Sequence, residues 1–210
     1  MGWRAVKPGK FALIWELGRW FPKPYNFGVI SEFDGYRPRI AESAFIAPTA
    51  VLIGNVVVSE NASIWYGAVL RADHGEQAIV VGPESNVQDN CVIHVALDKG
   101  TTIGERVTIG HGAILEACDI GDEAVIGMNA VVLERARVGA RSLVAAGSTV
   151  LAHSDIPEDV LCAGSPAVVK GPLEGAARWW IEKSGQYYLE LAQRYRDQEL
   201  AEPKSRASEG

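Results

Sequence analysis

Two histidines and one glutamate lie close together near the middle of this chain. His94 and His111 are two of only four histidines in 210 residues, and Glu116 follows shortly after His111. Imidazole exchanges protons near neutral pH and is also a common metal ligand, and a carboxylate beside it can assist in either task. Whether these three side chains act together depends on the fold that carries them.

An aliphatic residue recurs at every sixth position through most of the chain between Ile40 and Val150, with a small residue four positions later. The pattern is interrupted after Leu70 and after Ile93, and the step from Leu115 to Ile120 is one residue short. One aliphatic side chain per hexad predicts a narrow core, and units this short must stack in order to bury it. The sequence therefore predicts an all-β core, a parallel β-helix of hexapeptide repeats. Its left-handed sense comes from the fold class and not from the period.

Glycine often follows the aliphatic residue, as at Gly104, Gly110 and Gly121. We expect these glycines to adopt the backbone dihedral angles that tight corners demand.

The repeat divides the chain into four predicted parts. Residues 1–28 form an N-terminal extension, 29–172 the left-handed β-helix, 173–199 a C-terminal α-helix and 200–210 a disordered tail. The extension is rich in aromatic and basic residues, which fits a strap on the main body or a membrane-surface or transit-like segment.

The last part of the repeat region, Pro157 to Pro172, is rich in glycine and proline and predicts a turn-rich exit. Beyond it, one helical face is predicted to lie along the β-helix and cover an apolar side. Its residues are Trp180, Tyr188, Leu191, Ala192 and Tyr195.

Composition narrows the classes of partner and compartment. The net charge of -6 gives no general attraction to nucleic acid or anionic lipid. No apolar run reaches the roughly 18 residues of a transmembrane helix, so no integral membrane segment is expected. Cys91, Cys118 and Cys162 are three thiols without C-x-x-C spacing, which favours a reducing compartment and a cytoplasmic location.

Assigning three faces in rotation predicts which polar residues stack on adjacent coils. Arg71, His94 and Glu116 fall at the second position of hexads on one face, where side chains point outward. Asp89 and His111 stack on another face. These columns could be a solvated polar ladder, or they could meet a second copy of the chain. In the second case, His111 of one chain would complete a site with the neighbour's His94 and Glu116.

Several segments resemble the γ-class carbonic anhydrase family of left-handed β-helix proteins. They are Ser63–Asp73 (SIWYGAVLRAD), Asn86–His94 (NVQDNCVIH), Ile109–Cys118 (IGHGAILEAC), Ile126–Val132 (IGMNAVV) and Ala163–Ala167 (AGSPA). The resemblance implies a homotrimer with a metal site at each subunit interface, two ligands coming from one chain and the third from its neighbour.

The resemblance also implies roles for individual residues. His94 and His111 match two of the three family ligand positions, while Glu116 stands where the family usually has histidine. Two histidines and a carboxylate still suit Zn²⁺, with Fe²⁺ or Co²⁺ as alternatives. Arg71, Asp73, His74 and Gln88 become candidate catalytic residues, the first two as a charge pair across the interface and His74 as a proton carrier. Asn86 and Asp89 fall on the group that supports the ligands.

The carboxylate at position 116 bears on the predicted activity. Its negative charge weakens the metal as a Lewis acid, so the expected enzyme is a lyase with weak CO2 hydration or none. Its substrate would be CO2 or bicarbonate, or another small carbonyl or acyl compound. We also expect Met128, Trp65 and Tyr66 to line a small pocket near the interface, although Trp65 could instead lie exposed against a neighbouring chain.

Two other functions fit the same sequence. One is an acyl-CoA hydrolase or transferase in which His111 or His74 acts without metal. The other is a non-catalytic trimeric assembly module, in which the polar columns only hold chains together.

Overall fold

The fold is a three-sided β-helix with one α-helix along its side. The computed structural model describes residues 29–198, so the predicted extension 1–28 and the predicted tail 200–210 lie outside the described residues. Strands are numbered in chain order, and every third strand pairs along a side.

The first sheet contains β1 (Val29–Ser31), β4 (Val51–Gly54), β7 (Val69–Ala72), β10 (Val92–His94), β13 (Ile114–Glu116), β16 (Val131–Val132) and β19 (Thr149–Val150). The second contains β2 (Arg39–Ile40), β5 (Val56–Val58), β8 (Ile79–Val81), β11 (Thr101–Ile103), β14 (Asp119–Ile120), β17 (Arg137–Val138) and β20 (Asp155–Ile156). The third contains β3 (Phe45–Ile46), β6 (Ser63–Ile64), β9 (Asn86–Val87), β12 (Thr108–Ile109), β15 (Val125–Ile126), β18 (Leu143–Val144), β21 (Val160–Gly164) and β22 (Ala167–Pro172). The predicted fold class, a left-handed parallel β-helix of hexapeptide repeats with a C-terminal helix, is confirmed.

The core is the column of first-position aliphatic side chains. Leu70, Ile93 and Leu115 lie above one another in the first sheet and are fully buried. Small residues at the fifth position close the corners; Ala113 and Ala130, for example, are also fully buried. Each coil is too narrow for larger side chains at both places, which explains the strict alternation of large and small residues.

The expectation that the second-position glycines adopt the dihedral angles of tight corners is wrong. Gly104, Gly110 and Gly121 do not have a positive φ, whereas the corner residues two positions later, such as Arg106 and Glu123, do. A Cβ on Gly110 would come within 2.8 Å of the Ile126 carbonyl oxygen of the next coil. Glycine is needed there because adjacent backbones approach closely, and not because of its dihedral freedom.

The segment predicted as a turn-rich exit is instead a β-hairpin. Strands β21 and β22 pair antiparallel, with a register shift between Leu161 and Cys162, and they end the third sheet. Strand β21 pairs with the last parallel strand of this sheet, and β22 then pairs with β21. The edge of the last coil is therefore covered without another hexapeptide repeat.

The C-terminal helix α1 (Gly175–Asp197) packs on the third sheet. Tyr188 and Tyr195 lie against Trp65, with ring centroids 5.5 and 5.1 Å away, and Ala192 is fully buried in the same cluster. This confirms the predicted covering role, except that Trp180 is 48% exposed. Within residues 29–198, no helix is long and apolar enough to cross a membrane.

Two insertions interrupt the coils, and both follow strands of the first sheet. One lies between β7 and β8, at residues 73–78, and the other between β10 and β11, at residues 95–100. Asn55 holds the first insertion, since its side-chain amide donates to the Glu76 carbonyl at 3.0 Å. The short step after Leu115 is absorbed by Ala117, whose φ of 47° turns the corner one residue early.

Candidate functional site

The first sheet carries the predicted column of Arg71, His94 and Glu116. His94 pairs in register with Arg71 on one side and with Glu116 on the other, so the predicted column is confirmed. The His94 Nδ1 atom lies 3.4 Å from Glu116 Oε1. The backbone of His94 is fixed as well, because its carbonyl accepts hydrogen bonds from the Thr101 hydroxyl at 2.5 Å and from the Ala117 N–H at 3.1 Å.

Asp73 meets the opposite edge of the His94 ring. Its Oδ1 atom lies 3.1 Å from His94 Nε2, while its other oxygen pairs with the guanidinium of Arg71 in the same chain. Burial alone would raise the pKa of Asp73, but the hydrogen bonds from Arg71 and His94 outweigh it and hold the pKa below its usual range. Asp73 is therefore a carboxylate that faces His94 at neutral pH.

His74 lies beside this group on the insertion after β7. Its ring centroid is 5.7 Å from that of His94. Ligand atoms of Asp73, His74 and His94 all lie within 4.8 Å of one another. The loop histidine therefore faces the site and is not merely solvated.

The second predicted pair, Asp89 and His111, also meets. Asp89 Oδ2 lies 2.9 Å from His111 Nδ1. A carboxylate at this distance favours the tautomer in which Nδ1 carries the proton, which leaves the Nε2 lone pair available. That atom lies 3.3 Å from the hydroxyl of Tyr188, which can donate to it.

A chain of hydrogen bonds through two side-chain amides holds the backbone of His111. Gln88 accepts the backbone N–H of His111 at 3.1 Å and donates to Asn86 at 3.0 Å. Asn86 in turn donates to the Thr108 hydroxyl at 2.9 Å, and that hydroxyl bonds Ser184 of α1 at 2.9 Å. The helix and the coil are thereby joined through the residues that hold His111.

The sequence did not assign a contact between Tyr188 and His111. Burial raises the pKa of Tyr188 to about 12, with the nearby Asp89 charge acting in the same direction. Its phenol therefore stays protonated and able to donate throughout the neutral range. A tyrosine on the covering face of α1 was the available signal, but the helical period alone does not tell which coil that tyrosine meets.

A largely apolar cavity of about 230 Å³ opens beside His111. Met128 lines it together with Trp180 and Tyr188 of the helix. Neither Trp65 nor Tyr66 lines this cavity. The alternative of an exposed Trp65 is wrong, because its side chain is 3% exposed and belongs to the cluster under the helix. The aromatic pair follows the buried strand β6, where α1 covers it.

Within one chain the candidate residues form two groups. Around His94 lie Arg71, Asp73, His74 and Glu116, and around His111 lie Asn86, Gln88, Asp89 and Tyr188. Among residues 29–198, the metal-compatible cluster is Asp73, His74 and His94, and it includes neither His111 nor Glu116. His94 ends β10 of the first sheet, whereas His111 follows β12 of the third sheet.

No family model matches the chain. Individual proteins do match: the carnitine operon protein CaiE of Salmonella agona is 39% identical over 164 residues, which is 78% of this chain and 82% of that protein. Gamma carbonic anhydrase 2, mitochondrial, of Arabidopsis thaliana is 38% identical over 162 residues. The chain belongs to the γ-carbonic anhydrase-like family.

The match to the plant γ-carbonic anhydrase covers 74% of this chain but only 58% of that protein. Among solved structures, a hexapeptide transferase family protein from Anaplasma phagocytophilum has a TM-score of 0.75 and 39% identity, and the match covers 80% of this chain and 98% of that one. The γ-carbonic anhydrase-like family thus includes relatives with different names, and the activity of this member has to be argued from its own site.

Proposed function

We propose that this γ-carbonic anhydrase-like protein is a homotrimer that binds Zn²⁺ between chains, and that it acts as a weak or redirected CO2-hydrating lyase. His94 and Glu116 of one chain and His111 of its neighbour are the proposed ligands, and Fe²⁺ or Co²⁺ would suit the same donors. A small carbonyl or acyl compound is the proposed substrate if CO2 and bicarbonate are not. A cytoplasmic location is proposed on the three cysteines, which are all free thiols.

The distance between His94 Nδ1 and Glu116 Oε1 is the observation that supports the metal site most directly. Two ligand atoms about 2.0–2.1 Å from a tetrahedral zinc ion are roughly 3.3 Å apart. The observed separation is 3.4 Å, so the pair can share one ion with little rearrangement. The donor set also fits, because one carboxylate beside two imidazoles is a known zinc combination.

Asp89 supports His111 as the third ligand. Metal-binding histidines commonly donate their other ring N–H to a carboxylate, and Asp89 at 2.9 Å from Nδ1 occupies that place. His111 Nε2 is then the donor atom, and Tyr188 would have to give up its 3.3 Å contact when a metal binds.

When bound, the ion would supply Lewis-acid activation of water or of a carbonyl oxygen. The chain's own residues would do the rest. Asp73 fixes the His94 ring at its Nε2 edge, while Gln88 and Asn86 hold the turn that carries His111. His74, half-buried at the edge of the site, is the proposed proton carrier between the site and solvent.

The experiment compares the wild-type chain with Glu116→His and Glu116→Gln. Zinc content, molar mass and CO2 hydration by stopped flow would be measured on each purified protein. We expect Glu116→His to raise the hydration rate, because a neutral ligand leaves the metal a stronger Lewis acid, and Glu116→Gln to lower zinc content. Full zinc occupancy without any gain in Glu116→His would refute the explanation given for Glu116.

Acyl transfer is a second candidate. The cavity beside His111 is largely apolar and is lined in part by Trp180 and Tyr188 of the helix, and the solved relative from Anaplasma phagocytophilum is a hexapeptide transferase family protein. In this case His111, oriented by Asp89, would act as a general base without metal. Acyl-CoA binding measured by calorimetry on metal-free protein separates the two, because only acyl transfer expects binding under those conditions.

A trimer without catalysis is the third function that fits the columns. Zinc analysis also tests it, since an assembly module has no reason to retain the ion through purification.

A further inference from the structure

We propose a second metal site, contained within one chain and formed by Asp73, His74 and His94. It would take a divalent transition ion such as Zn²⁺, Co²⁺ or Ni²⁺. None of its ligands comes from a neighbouring chain, although it shares His94 with the interfacial site described above.

The surroundings of the His94 ring give the first reason. Carboxylate oxygens face both of its nitrogens, with Asp73 Oδ1 at 3.1 Å from Nε2 and Glu116 Oε1 at 3.4 Å from Nδ1. A neutral imidazole has one N–H, so it can donate to only one of them. The other nitrogen would then direct its lone pair at a carboxylate, and a cation between the two atoms removes that repulsion.

Asp73 indicates which edge of the ring would receive the ion, because its Oδ1 atom lies 3.1 Å from His94 Nε2. Ligand atoms of Asp73, His74 and His94 all lie within 4.8 Å of one another. Two imidazoles and one carboxylate suit late first-row metals better than Ca²⁺ or Mg²⁺, which prefer oxygen ligands. Glu116 on the Nδ1 edge would then orient the ring instead of binding the ion.

The three ligands are also held in place before any ion arrives. Asp73 has its second oxygen on Arg71, which directs Oδ1 toward His94. The His74 carbonyl accepts the Gln77 N–H at 3.0 Å and so closes the turn that carries the imidazole. Only small side-chain movements are needed to bring the donors onto one ion, which lowers the cost of binding.

Because both sites use His94, one chain would hold one ion at a time. The interfacial site needs a neighbour's His111, whereas the internal site can bind an ion in a single chain. A protein that loses the interfacial ligand should therefore still bind metal, with a different affinity and a different set of donors.

The test uses full-length protein stripped of metal and titrated with Co²⁺, followed by visible absorption and calorimetry. His111→Ala removes the interfacial site, and the internal site predicts that this variant still binds about one ion per chain. Adding His74→Ala to it should weaken binding by about tenfold or more. His153→Asn, which changes the remaining histidine on an exposed turn, is the matched control and should bind like wild type.

Circular dichroism of each variant confirms that the β-helix is intact, and His74→Asn replaces His74→Ala if folding suffers. The proposal is overturned if His111→Ala binds no Co²⁺, or if the double variant binds it as well as His111→Ala does. A separate result, equal binding by His111→Ala and wild type, would count against the interfacial site and leave the internal one standing.

Discussion

The coils from Leu70 to Leu115 and those from Ile120 to Ile156 share one period but differ in their outward residues. At the second hexad position of the first sheet, the earlier coils carry Arg71, His94 and Glu116, while the later coils carry Leu133 and Leu151. The later coils also run from hexad to hexad without insertions. The two candidate histidine columns therefore lie in the coils where the repeat is interrupted.

A physical reason connects the interruptions with the chemistry. A perfect repeat places equivalent positions above one another, so it can build only columns of side chains. An insertion brings in residues outside the period, such as Asp73 and His74, and lets them approach a column from its side. The regular coils extend the β-helix and its core. The interrupted coils add contacts from the insertions to the side of a column.

The largest expected effect is on Co²⁺ binding, compared between variants at equivalent hexad positions of an interrupted and a regular coil. His94→Ala should weaken Co²⁺ binding by about a hundredfold or more, because it removes a ligand of both proposed sites. Leu133→Ala, at the same hexad position in a regular coil, should leave the titration unchanged. Equal losses in the two variants would mean that binding depends on coil integrity and not on His94.

The second prediction concerns the backbone of the regular coils. A Cβ on Gly121 would lie 2.6 Å from the Ala140 nitrogen of the next coil, so Gly121→Ala should destabilise the protein by about 1–3 kcal/mol. Gly147 has a φ of +68°, and a Cβ added there would meet no neighbouring atom within 4 Å, so Gly147→Ala should cost only about 1 kcal/mol. Urea unfolding of both variants measures the difference. A larger loss for Gly147→Ala would mean that freedom of the backbone dihedral angles matters more to stability than the close approach of adjacent coils.

The third prediction isolates the link between α1 and His111. Tyr188→Phe removes the hydroxyl 3.3 Å from His111 Nε2 and should lower the free energy of unfolding by about 1 kcal/mol. It should also change the NMR signals of the His111 ring, whereas Tyr187→Phe, at a side chain 58% exposed, should change neither. An unchanged His111 spectrum in Tyr188→Phe would show that the helix does not control this ring.

The smallest expected effect is a loss of stability at alkaline pH that comes from two thiols of the interrupted coils. Burial raises the pKa of the Cys91 and Cys118 thiols to about 12, from an ordinary value of 9.0. Between these values the unfolded chain binds fewer protons than the folded one. The contribution of these thiols to stability is therefore fully present below about pH 8 and falls as the pH rises. Alanine occupies the corresponding small position in regular coils, at Ala124 and Ala130 for example.

Cys118→Ala should therefore reduce the loss in the free energy of unfolding at pH 9.5 by about 1 kcal/mol. Thermal unfolding at pH 7 and pH 9.5 measures it, with the same substitution at pH 7 as the reference. If the loss between the two pH values is the same with and without Cys118, this thiol is not its source.

Much of the fold followed from the period. The aliphatic positions, the three-sided coil and the stacking of His94 between Arg71 and Glu116 depend only on counting residues, and the structure confirms them. The hairpin after Ile156 could not be predicted in this way, because it pairs antiparallel and has no hexad. The burial of Trp65 depended on where α1 lies, which no repeat encodes.

The sequence by itself determined which residues share a column, because a stacked repeat converts a spacing along the chain directly into a contact. Only the tertiary structure decided what approaches those columns from outside. Asp73 and His74 reach His94 from an insertion, and Tyr188 reaches His111 from a helix 77 residues further along the chain. These contacts depend on how unlike elements pack together, and side-chain packing between them has no period that a sequence could display.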